Sequence, residues 1–372
     1  MKIIVIGGAG DMGSRAVEDL TTCAGVSGVT ICDRNERGAA EIAKRFQGRS
    51  AKVEVAPVDA NDHAALVKTI QGHDVAASAL GPFYAFEAKL VRASIEARVN
   101  YCSICDEWEP AEMLFDQFHQ QAVAQGVKIV TGLGASPGLT NIVISRLAQE
   151  LDTVHRARAA LYLPINCGGG RAVLEHAAHI MSGQTVVWRN GRRALIPACS
   201  EQQDIEFPRF GRIRTWNMGH SEPVTVPRYL TDLRDMEFFM GFDAGAPVLV
   251  QLARWGLFDG RCRTEFAVRA MHFIEQSFFK SEPGLGAMRV DAWGLKNGRE
   301  THLMRCGTGL MREITGLSLS VGALMLGQGA LLTDQAGVYA PEGILDPCVF
   351  LEHFKCRGIQ AYADLEMTKP MT

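Results

Sequence analysis

The sequence predicts an α/β protein: a doubly wound parallel sheet that carries an inserted α+β domain with a mixed or antiparallel sheet. Three observations predict it. Short apolar, β-branched runs alternate with amphipathic helical segments through the first third of the chain. A glycine-rich turn follows the first run directly. The middle of the chain then changes character, with Asn-Gly turns set between alternating runs.

The first run, "KIIVIGG" (2–8), ends in glycine and has the pattern of a strand buried on both faces. "VTICD" (29–33), "VEVAP" (53–57), "DVAASAL" (74–80), "VNYCSI" (99–104) and "VKIVTGL" (127–133) continue the series. Strands joined by helices require crossovers, which places ligands beyond the carboxyl ends of the strands. Gly8, Gly10 and Gly13 spell G-x-G-x-x-G between the first strand and the first helix. In a Rossmann-type unit these glycines give a tight turn, let a pyrophosphate approach the backbone and let helix and strand pack closely. Asp11 and Met12 fall within the same turn, where the helix N-terminus favours phosphate. Asp33 ends the second strand, where a carboxylate accepts ribose hydroxyls and repels a 2′-phosphate. That favours NAD, with NADP as the alternative because Arg34 is adjacent. Asp59 after the third strand, Leu80, Gly81 and Pro82 after the fourth, and Ser136 and Pro137 after the sixth complete the expected cofactor contacts.

Two stretches beyond the fingerprint, "LGPFYAFEAKLVRASIEARVNYCSICDE" (80–107) and "GLGASPGLTNIVISRL" (132–147), resemble the saccharopine dehydrogenase-like family. The C-terminal "GVYAPEGILDPCVFLEHFKCRGI" (337–359) resembles the tail of its lysine dehydrogenase-like members. The resemblance implies an NAD(P)-dependent oxidoreductase acting on a carbon–nitrogen bond of an amino acid, opine or amine. Alternatives are a transferase that keeps NAD as an internal redox catalyst, as homospermidine synthase-like relatives do, and a non-catalytic nucleotide-binding protein. The chain departs from the family where many members carry Asp in the strand-five motif, for it has Ser103, with Asp106 and Glu107 following. Asp106 is the expected acid–base group, with Glu107 beside it at the start of a helix. Phe83 and Tyr84 are expected to cover the nicotinamide ring, Phe83 also contacting substrate and Tyr84 acting as a catalytic group through a donated hydrogen bond. Thr140 and Asn141 are expected to cap a helix, Asn141 also reaching substrate.

The expected domains are 1–148 with 308–372, and 149–307 for substrate binding and a homodimer contact, with a substrate cleft between them. His220 and Arg228 in "MGHSEPVTVPRYL" (218–230) are the expected substrate contacts, Arg228 suiting a carboxylate. His176 and His179 share a helix face, and packing is their expected role. No metal is expected there or at Cys102 and Cys105, which lack a second cysteine pair. A formal charge of −3 gives no electrostatic footprint for nucleic acid or an anionic membrane. The 10 cysteines lack a repeated spacing and no leader pattern opens the sequence, so a reducing cytoplasm is expected. The most apolar stretch, 317–332, holds three glycines, two serines and a glutamine and is expected to be a buried helix rather than a membrane span.

Overall fold

A computed structural model of the chain describes residues 1–164, 170–242, 246–256 and 284–371. The chain divides into two compact units, Met1–Leu139 with Arg312–Arg357, and Thr140–Met311 with Gly358–Thr372.

The first unit is the doubly wound sheet. Its strands β1 (Lys2–Ile6), β2 (Gly28–Cys32), β3 (Lys52–Ala56), β4 (Val75–Ser78), β5 (Asn100–Ser103) and β6 (Lys128–Val130) fall on the six runs read from the sequence. They lie in the order β6-β5-β4-β1-β2-β3, and every pair is parallel. A further strand, Gly337–Tyr339, was not foreseen; at three residues it is too short to show a period, and it extends the sheet beyond β6. Order reverses between β1 and β4, which sets the crevice beyond their carboxyl ends. Ile3, Ile4, Val5 and Ile6 are all buried, each burial stabilising by about 1.5–3 kcal/mol. Helices α1 (Asp11–Leu20), α2 (Glu36–Arg45), α3 (His63–Ile70), α4 (Phe83–Ala97), α5 (Trp108–Met113) and α6 (His119–Gln125) make the crossovers. Asn35 and Asp62 cap α2 and α3 by accepting from Gly38 N–H and Ala65 N–H.

The apolar stretch forms the helix Met311–Gln328, buried along most of its length. Among the described residues no helix is long and apolar enough to cross a membrane. Its glycines allow close packing: a Cβ at Gly322 would lie 2.4 Å from Leu133, and one at Gly316 2.6 Å from Arg15. The helix Pro347–Lys355 is tied to α1 through Arg357, whose guanidinium donates to both oxygens of Asp19 at 2.8 Å.

The second unit is built on a mixed sheet of β7 (Thr153–Leu163), β8 (Gln184–Arg189), β9 (Arg192–Pro197), β10 (Gln202–Phe207), β11 (Gly211–Asn217), β12 (Asp235–Phe242), β13 (Gly286–Lys296) and β14 (Arg299–Gly309). The order is β10-β11-β12-β7-β13-β14, with β8 joining β12 and β9. Only β7–β12 is parallel among the described pairs. Both Asn-Gly turns are two-residue hairpins. Asn190 and Gly191 take φ of 51° and 72°, and Asn297 and Gly298 take 51° and 71°, the positive pair that a type I′ turn requires. Residues 358–372, expected with the first unit, group with the second, where Tyr362 and Cys306 exchange backbone hydrogen bonds.

Candidate functional site

The turn after β1 is shaped by close backbone approaches. Gly7, which the motif reading passed over, takes φ +77°, and a Cβ there would sit 3.0 Å from the backbone of Ala79 and Leu80 at the end of β4. The tight turn assigned to Gly8 is therefore made by Gly7; the signal was the doubled glycine itself. Gly8 serves packing, since a Cβ would approach the Val5 carbonyl to 2.9 Å and Ile31 to 3.1 Å. Gly13 lets α1 lie on the turn, a Cβ there falling 2.2 Å from the Gly7 oxygen. Gly10 precedes α1 without a side-chain cap, so the first amides of the helix remain available to an anion. A Cβ at Gly10 would meet only the Gly7 oxygen, at 3.2 Å, among the described residues. An open backbone at a helix N-terminus, beside a strand-order reversal, fits the pyrophosphate of a dinucleotide.

Asp33 follows β2 and joins the two loops. Its Oδ2 accepts Ala9 N–H at 3.1 Å and its Oδ1 accepts Asn35 N–H at 2.9 Å. The carboxylate is thus fixed at the rim of the glycine turn, where a ribose would lie. Arg34 is exposed beside it. Asp59 is exposed too, and hydrogen bonds from Asn61, aided by the charge of Arg34, hold its carboxyl below the usual value. Asp11 forms an ion pair of 2.9 Å with Arg312 at the start of the helix Met311–Gln328. Arg312 also donates to Ser14 at 3.3 Å; nothing in its local sequence singled it out.

The ends of β4, β5 and β6 carry the remaining first-unit residues. Leu80, Gly81 and Pro82 are half-buried, Phe83 is buried and the Tyr84 side chain is 56% exposed. Ser136 and Pro137 sit in a buried turn where Gly134 N–H donates to the Pro137 carbonyl at 2.8 Å. Gly138 is required there: φ is +121° and a Cβ would fall 2.2 Å from the Gly134 oxygen. β5 stops at Ser103, so Asp106 and Glu107 stand in the loop before α5. Asp106 is half-buried. Glu107 is fully buried and accepts Tyr84 N–H at 2.6 Å, placing its charge at the N-terminus of α4. Cys102 and Cys105 are buried, and burial pushes both thiols well above their usual value, which makes them poor nucleophiles.

One carboxyl here was not foreseen. Glu87, on α4, is fully buried; its Oε1 accepts the Ser103 hydroxyl at 2.5 Å and its Oε2 the Tyr101 hydroxyl at 3.0 Å. Burial pushes it up to about 7, the two hydroxyls opposing and the charges of Glu107 and Asp106 adding to the rise.

In the second unit His220 is buried, stacks on Phe238 with ring centroids 3.8 Å apart, and its Nδ1 lies 2.6 Å from Glu222. The carboxylate fixes the ring through Nδ1. Glu222 also accepts the Thr140 hydroxyl at 3.2 Å, and Asn141 donates to the Thr225 hydroxyl at 3.1 Å. The helix Leu139–Ala148 opens before both residues, so their side chains reach Glu222 and Thr225 instead of forming the expected cap. His176 lies edge-on to His220 at 6.5 Å. Arg228 is exposed.

Residues 3–130 match the family model of the saccharopine dehydrogenase NADP binding domain. The fold is similar to that of saccharopine dehydrogenase (L-Glu forming) from Saccharomyces cerevisiae, with a TM-score of 0.70 over 96% of this chain and 97% of that one, at 11% identity. The chain is thus similar to the saccharopine dehydrogenase family in residues 3–130 and in fold. Its first unit is accordingly an NAD(P)-binding domain, and the glycine turn and Asp33 fit that cofactor. Among curated relatives, carboxynorspermidine synthase from Vibrio cholerae is 23% identical over 241 residues, 58% of this chain and 56% of that protein. Lipid droplet localized protein from Caenorhabditis elegans is 24% identical over 138 residues, 36% of this chain and 32% of that protein. The chain thus spans about half, or less, of the length of these relatives.

Proposed function

We propose that the protein is an NAD(P)-dependent oxidoreductase that makes or breaks a carbon–nitrogen bond in an amino acid, opine or amine-derived substrate. The observation that carries this reading is the dinucleotide cradle of Gly7–Gly13 and Asp33 in a unit matching a saccharopine dehydrogenase NADP binding domain. Likeness to carboxynorspermidine synthase supports the carbon–nitrogen assignment. Bound in the cradle, NAD(P) supplies hydride donation or acceptance. The amides at the start of α1 hold its pyrophosphate, and Asp33 holds a ribose and selects NAD, since a 2′-phosphate would face its carboxylate. Leu80, Gly81, Pro82, Ser136 and Pro137 line the loops beyond β4 and β6, and Tyr84 presents its ring there. Asp106 takes or returns the proton at the substrate nitrogen, while Glu107, held at the end of α4, keeps the loop in place. In the second unit, Asn141 and His220, oriented by Glu222, serve polar substrate groups, and Arg228 a substrate carboxylate.

Three variants test these roles. Gly13→Ala forces a Cβ onto the Gly7 carbonyl and is expected to reduce NAD(P)H affinity at least about tenfold, measured by nicotinamide fluorescence. Asp33→Ala is expected to shift preference from NADH toward NADPH by about tenfold; unchanged affinity for both would remove its ribose role. Asp106→Asn is expected to lower kcat by about 10²-fold or more with cofactor affinity retained. Undiminished turnover would eliminate Asp106 as the acid–base group.

A further inference from the structure

The strand-five motif resembles its family except that Ser103 stands where many members carry Asp, which leaves β5 without its own carboxyl. The structure restores one from a different element. Glu87 reaches Ser103 from α4 with a hydrogen bond of 2.5 Å, and Tyr101, two residues earlier on β5, donates to its other oxygen at 3.0 Å. All three side chains are fully buried. An acid facing hydroxyls alone holds its proton more firmly than one facing a cation. The groups around Glu87 bear this out: Tyr101, Ser103, Cys102 and Cys105 on or after β5, Asp106 and Glu107 on the loop, and Ser78 of β4 behind Tyr101. The charged neighbours are acids, and their charges reach Glu87 across the same space through which its charge reaches them.

We propose that Glu87 is a positioning residue that supplies from α4 the buried carboxyl which the family motif carries at position 103, and that its protonation is coupled to the charge of Asp106. While Glu87 keeps its proton, it joins α4 to the end of β5 as a neutral hydrogen-bonded group, and Asp106 ionises without a second negative charge beneath it. Glu87 then has to lose its proton against the charge already on Asp106, so the two carboxyls behave as a coupled pair. The placement of the carboxyl rests on geometry alone; only its consequence for catalysis rests on the role proposed for Asp106.

The test uses the full chain and needs no substrate. Ser103→Asp, Glu87→Gln and the double variant are compared by thermal unfolding. Ser103→Asp alone sets two carboxyls in contact and is expected to unfold earlier than the parent. The double variant returns the protein to a single acid and is expected to recover most of the loss, or to fold where the single variant does not. A double variant no more stable than Ser103→Asp overturns the relocation. Glu87 is then titrated by carboxyl NMR in the parent and in Asp106→Asn. Its ionisation constant is expected to rise about threefold or more once the charge of Asp106 is removed. An unchanged midpoint overturns the electrostatic link, since a merely structural Glu87 would leave it in place. Both outcomes stand apart from turnover, so the oxidoreductase reading can fail while this one holds.

Discussion

Glu87 in one unit and Asp291 in the other are both completely buried, and the two acids are held in opposite ways. Glu87 in the first unit faces two hydroxyls. Asp291 on β13 of the second unit faces two guanidinium groups, Arg158 at 2.7 Å and Arg289 at 2.9 Å, and the ring of His302 at 2.8 Å. Burial pushes both carboxyls upward. At Asp291, hydrogen bonds from His302 and Arg289 with the charges of Arg158 and Arg289 outweigh burial and hold the group well below the ordinary carboxylate range. At Glu87 the hydroxyls only moderate the rise, which stops at about 7. The partners therefore decide whether a buried acid is a fixed charge or a group able to change charge near neutrality. The fixed charge sits in a sheet, where Trp293 stacks on His302 and lies under Arg156 and Arg158. The variable one sits under the loop that carries Asp106.

The largest effect should come from breaking the cation-held site. Asp291→Asn leaves Arg158 and Arg289, both mostly buried, without their counter-charge, and is expected to cost about 3–5 kcal/mol. Calorimetry should show the loss; a variant as stable as the parent would mean that water or other groups already neutralise the arginines.

pH sharpens the comparison, because the two signs differ. The folded value of Glu87 lies above the ordinary 4.5. The stability it contributes is fully present below about 4.5 and is lost as pH rises to about 7. Asp291 is depressed below its ordinary 3.8, so its contribution is present above that pH and lost as pH falls through its folded value. Glu87→Gln is expected to flatten the decline in stability between about pH 4.5 and 7, an effect of a few kcal/mol, and to leave acid unfolding unchanged. Chemical denaturation across that range measures it. A decline that survives in the variant would assign it to another group. The smallest effect belongs to His302→Gln. That ring is 41% exposed and is one of three partners, so its loss should cost under about 1 kcal/mol.

The same contrast explains what the sequence made legible. The glycine turn, Asp33 and both Asn-Gly hairpins were readable because backbone geometry within a few residues demands those side chains. The six parallel strands were readable because burial on both faces leaves continuous apolar runs. Glu87 was hidden: within "FYAFEAKL" it is one acid on an amphipathic helix, and its partners lie 14 and 16 residues away. Thr140 and Asn141 looked like helix caps because their partners Glu222 and Thr225 lie more than 80 residues on. Asp291 gives no hint either, since its three partners come from three strands brought together only by the sheet. Ser103 did mark a departure from the family, yet its meaning required the helix lying over it.

The central claim is that the chain transfers hydride at a carbon–nitrogen bond. The most direct test follows nicotinamide absorbance with the purified full chain, in both directions, against amino acids, opines, polyamines with carbonyl partners, and hydroxy acids. The account predicts net interconversion of NAD(P) and NAD(P)H that depends on an amine or amino-acid substrate. Turnover with hydroxy acids alone, or tight cofactor binding with no turnover on any of them, would contradict it.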